Sequence, residues 1–121
     1  MRYTELKIGD TEYKLRLATA EIINIEKKIN GNILDIFMKD EKIPTMEELL
    51  MVLHGSLQKF HHGISLVDAY DLYDNYVDGE GSFEDLIEVI MDVLEVSGFF
   101  KEEQLKEGKA KLKATKKKES K

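Results

Sequence analysis

Residues 3–17 read "YTELKIGDTEYKLRL" and are followed at 18–32 by "ATAEIINIEKKINGN". The change of period between these two stretches decides the fold class. In the first, apolar and polar residues alternate. Leu6 and Ile8 share one face, and Tyr13, Leu15 and Leu17 repeat the pattern beyond Gly9-Asp10. Period two with a Gly-Asp dipeptide in the middle predicts two antiparallel strands, near 3–8 and 11–17, joined by a tight turn. In the second stretch Ile22, Ile25 and Ile29 recur at three and four. That spacing predicts a helix, with Thr19 as N-cap and Gly31 as the left-handed stop.

Helical period then dominates. "ILDIFM" (33–38) suits one or two turns, and "KDEKIP" (39–44) reads as a polar loop. In "TMEELLMVLHGSLQKFHHG" (45–63), Thr45 and Glu48 have capping-box spacing. Gly55 stands mid-helix, where the sequence suggests close approach of another backbone. Ser65 with Asp68 opens the next helix, in which Leu66, Ala69, Tyr70, Tyr73 and Val77 are expected to share a face. Ser82 caps the last strong helix, which is apolar over most of its circumference and so belongs at the centre of a bundle. Gly98 is its expected stop, with Phe99 folding back toward Leu94.

The expected architecture is α+β, mostly α: an N-terminal hairpin packed on about four helices, in one domain over residues 1–100. Residues 101–121 carry nine Lys and four Glu, a net +5 against −11 for the rest of the chain. With no evident apolar face, this basic tail is expected to be flexible, and deleting 104–121 to leave stability nearly unchanged. No apolar run suggests a secretion signal or a membrane span, so a soluble protein is expected.

Several chemistries fit poorly. There is no cysteine, hence no disulfide or thiolate metal site. The three histidines have no metal-binding spacing. No phosphate loop or nucleophile elbow is present, so no enzyme, cofactor or metal is expected. The acidic stretch "YDNYVDGEGSFED" (73–85) approximates a calcium loop counted from Asp74. However, Tyr76 stands where an oxygen ligand is needed, and Asp85 is short for the bidentate position. Two alternatives remain beside the main reading below: a calcium-responsive adaptor, and a nucleic-acid-associated regulator using the lysine tail. The tail lacks aromatics and a reading helix, which disfavours specific nucleic-acid binding.

The order of hairpin, Ile-rich helix, "VLHGSLQKFHHGISLVDAYDLYDNYV", acidic loop and "LIEVIMDVLEVSGFF" resembles the small tail assembly chaperones of long-tailed phages and prophages of Gram-positive bacteria. The resemblance spans about residues 3–100. It implies a non-enzymatic protein of the host bacterial cytoplasm, absent from the mature virion. Such a protein would bind the tape-measure protein and help recruit major tail-tube subunits. Self-association is compatible with it, as is a longer frameshifted product starting near the terminal "KKK". On this reading Tyr73, Tyr76, Met91 and Phe100 are expected to line or border the tape-measure contact, because aromatic and methionine side chains suit an adaptable groove.

Overall fold

A computed structural model describes residues 2–38 and 43–119, with side chains as far as residue 110. The loop expected at 39–44 lies largely outside the described residues, as does the end of the tail at 120–121. Two strands, β1 (Thr4–Ile8) and β2 (Thr11–Leu15), precede six helices among the described residues. These are α1 (Thr19–Ile29), α2 (Leu34–Met38), α3 (Met46–Leu57), α4 (Leu66–Asp78), α5 (Phe83–Val96) and α6 (Glu102–Glu119). The fold is α+β and mostly α. No described helix is long and apolar enough to cross a membrane.

The hairpin is antiparallel with Leu6 opposite Tyr13 and Ile8 opposite Thr11. Only Gly9 in its turn has positive φ, at 61°, the pattern of a type II′ turn matched to strand twist. Its apolar face is buried through Leu6, Ile8, Leu15 and Leu17. Backbone groups tie the end of β2 to the helices. Arg16 N–H donates to the Ser56 carbonyl at 2.9 Å, and Leu17 N–H donates to Ser97 Oγ at 3.0 Å. An isolated two-stranded hairpin is marginal in water, so these anchors and the shared core hold it.

Three of the helix starts follow their sequence signals closely. Thr45 with Glu48, Ser65 with Asp68 and Ser82 with Asp85 all form reciprocal capping boxes. The start of α1 differs. Ala18 is its N-cap, without a side-chain bond, and Thr19 lies inside the helix. Its end also differs, since Asn30, at φ 53°, takes the left-handed position expected for Gly31. Asn tolerates that region better than most residues. At the end of α5, Gly98 (φ 94°) and Phe99 form the Schellman pair of bonds, to the carbonyls of Glu95 and Leu94.

The core lies where α5 meets β1, α3 and α6. Leu86, Ile87, Ile90, Met91, Val93 and Leu94 of α5 are all buried against Leu49, Val52, Leu53 and Leu57 of α3. Gly55 admits side chains rather than another backbone. A Cβ there would lie 2.9 Å from Ile25 Cδ1 and 3.3 Å from Leu17 Cδ2.

The boundary expected at residue 100 needs correction. Leu105 on α6 is buried in the main core cluster. A Cβ at Gly108 would come within 2.6 Å of Met91 Cε and 3.0 Å of Met38 Cε. Lys109 Nζ pairs with Asp92 at 2.8 Å. This docking face consists of one leucine, one glycine and one lysine stem, so no apolar periodicity announces it. Deleting 104–121 is accordingly expected to destabilise the fold, by about 1.5–3 kcal/mol from Leu105 alone. Thermal melts of the full and truncated chains measure this, and coincident curves would show that α6 contributes nothing.

Candidate partner-binding surface

The acidic stretch at 73–85 builds a helix-to-helix corner. The first helix closes with a second Schellman pair, in which Glu80 N–H donates to the Val77 carbonyl and Gly81 N–H to the Tyr76 carbonyl. Glu80 takes the left-handed position at φ 74°. Gly81 is bare because the Tyr76 ring lies where its Cβ would be, 2.5 Å from that position. Asp85 accepts the Ser82 N–H at 3.2 Å while the Ser82 hydroxyl accepts the Asp85 N–H. The carboxylate at the last position of the calcium-like pattern is thus used in capping. Among the described residues, no group of three or more His, Asp or Glu is arranged to hold a metal ion.

Tyr76 is half-buried against the core, as is Tyr73. Burial pushes the Tyr76 hydroxyl pKa up, and the nearby Asp85, Tyr73 and Glu88 add to the rise. The folded chain therefore keeps this proton to higher pH than the unfolded chain does. Stability should fall as pH rises past the ordinary tyrosine value, since only the unfolded state then gains by ionising. Tyr76→Phe removes that contribution and should flatten the alkaline limb of a melting-temperature profile. An unchanged slope between wild type and variant would show that Tyr76 does not set it.

The four residues expected at the partner contact are not brought together. Tyr76 packs at the N-terminal end of α5, and Phe100 follows its C-terminal end. A helix of 14 residues separates them, roughly 21 Å of axis. Met91 is only 2% exposed and lies beneath α6, so it offers no open surface in this conformation. Phe100 is half-buried and lines a groove of about 610 Å³ with Phe99, Arg2 and Glu95. The Arg2–Glu95 ion pair, at 2.6 Å, forms part of its wall.

Of α4 and α5, it is α4 that carries open apolar surface. Val67, Tyr70 and Val77 are 64%, 41% and 44% exposed. Their spacing of three and seven places them on one side of the helix. Asp71, Asp74 and Asp78 are exposed beside them. Only Ala69 of α4 is fully buried, so Tyr70 and Val77 leave the inward face expected for them. The sequence signal was an excess: α4 carries more apolar residues than a helix resting on one side of a small body can bury. Val67, outside the expected stripe, marks the second face.

Residues 2–120 match a family of unknown function, DUF6096, and the chain belongs to that family. No curated protein and no solved structure matches it.

Proposed function

We propose that this protein is a tail assembly chaperone of a long-tailed phage or prophage. It binds segments of the tape-measure protein in the host bacterial cytoplasm, keeps them soluble, and aids addition of major tail-tube subunits. It is absent from the finished virion. The observation that carries this reading is the exposed Val67–Tyr70–Val77 stripe of α4 with aspartates along it. Such a face suits an amphipathic partner whose apolar side chains cover the stripe and whose basic residues meet Asp71, Asp74 and Asp78. Tyr73 borders the face from the core side, Tyr76 lies on the opposite side of α4 from Val67 with its ring on Gly81, and Phe100 provides a second, separate contact point at the α5–α6 corner.

The arrangement supports binding by contact rather than chemistry: tyrosine offers large, rigid contact area, and valine truncation at a surface costs the fold little. Co-expression with the tape-measure protein of the same genome tests it. Wild type should keep that protein soluble and co-purify with it. A Val67→Ser, Tyr70→Ala, Val77→Ser variant should fold normally yet lose the partner to the pellet. If the triple variant retains the partner, the α4 face is not the contact. If wild type retains none, the chaperone reading fails.

A further inference from the structure

The interface between α5 and α6 has an unusual composition for a structural contact. On the α6 side it uses Leu105, Gly108 and Lys109, at i, i+3 and i+4. On the other side are Met38 and Met91, whose terminal methyls lie where a Cβ at Gly108 would stand, and Asp92, which pairs with Lys109. The rest of α6 through Ala110 is mostly solvent-exposed. Methionine ends are adaptable and re-pack around different shapes. The seated helix, by contrast, is weak on its own account. It is polar around most of its circumference and carries glycine inside, which lowers its helix propensity.

We infer that Met38, Met91 and Asp92 form a helix-binding groove, occupied by α6 in the free chain, whose partner is an amphipathic helix carrying leucine, a small residue three positions on, and a lysine or arginine next to it. The seated segment itself states this pattern. Leu105 enters the core cluster, the small residue lets two methionine methyls approach the helix backbone, and the basic residue reaches Asp92. An incoming helix with alanine or serine in place of Gly108 has better helix propensity than α6, and the methionine ends can move aside for its Cβ. Such a helix displaces α6 and takes the same contacts. This adds to the chaperone reading a second site, apart from the α4 face, and it rests on that reading only for the partner's identity.

The test uses the full chain and a labelled peptide of residues 101–113, "KEEQLKEGKAKLK", with no tape-measure protein present. A Leu105→Glu, Lys109→Glu variant releases its own α6 by placing carboxylates against the core and against Asp92, while leaving the groove residues intact. Because the tethered helix competes in wild type at a high effective concentration, the peptide should bind the variant about tenfold or more tighter than wild type. A peptide with the Gly108→Glu and Lys109→Glu changes should not bind. Equal binding to both chains, or none to a folded variant, overturns the proposal. Should the variant fail to fold, methyl spectra of wild type with labelled methionine decide. An excess of the same peptide carrying Gly108→Ala should shift the Met38 and Met91 signals, because its Cβ displaces their methyls, and unshifted signals overturn the groove. A concentration-dependent dimer of wild type that exchanges α6 between copies would also overturn it, since the occupant is then a second copy. None of these outcomes depends on whether the tape-measure protein is the cellular partner.

Discussion

Replacing Ile90 by alanine is expected to destabilise the protein by about 2–5 kcal/mol, enough to lower the melting temperature on the order of 10 °C or more. Ile90 is fully buried near the middle of α5, the helix that packs on β1, α3 and α6. Truncation removes three carbons from a fully buried site on a helix packed by three other elements, so collapse around the cavity is restricted and the cost falls toward the upper part of the range. Because the hairpin rests on the same helix, near-ultraviolet and far-ultraviolet signals should still be lost together. Chemical denaturation of wild type and variant measures the difference. A loss below about 1 kcal/mol would mean that the core relaxes far more freely than a close-packed interior does.

Gly55→Leu should cost about 1–3 kcal/mol by overpacking. The side chain would enter space held by Ile25 and Leu17, whose methyls already lie 2.9 and 3.3 Å from a Cβ at that position. Ile25 and Leu17 are themselves buried, so neither has open space to retreat into. Gly55→Ala is a milder case. It meets the same neighbours with one carbon, while gaining roughly 1 kcal/mol of helix propensity. The expected order of stability places Gly55→Leu well below both wild type and Gly55→Ala. If leucine is tolerated as well as alanine, α1 is not held against α3 as closely as the distances state.

What could be read from the chain alone divides along physical lines. The hairpin was legible because strict alternation and Gly9-Asp10 specify both faces and the turn. Three helix starts were legible because a capping box is a local device: Ser or Thr and an acidic residue three positions apart satisfy each other whatever lies beyond. The start of α1 was not, since Ala18 leaves no side-chain signature and Thr19 beside it imitates one. Asn30 displaced Gly31 for a similar reason, both being able to adopt positive φ. The docking of α6 was hidden because Gly108 and Lys109 add no large apolar side chain to a periodic stripe, although a bare backbone and an ion pair make the contact. For the candidate surface, periodicity identified α4 as apolar on one side. It could not tell which of two neighbouring stripes the body covers, and Tyr70 and Val77 fell on the open one. Met91 was expected to line or border the partner contact because methionine suits an adaptable groove, and α6 covers it.

We propose above that the outer face of α4 carries a helical segment of the tape-measure protein. Hydrogen exchange of the free chain and of its complex with that protein tests it most directly. Backbone amides within 66–78 should exchange more slowly on complex formation, with Val67→Ser, Tyr70→Ala, Val77→Ser abolishing both the slowing and the complex. A stable complex in which α4 exchanges at the same rate as in the free chain would contradict the claim.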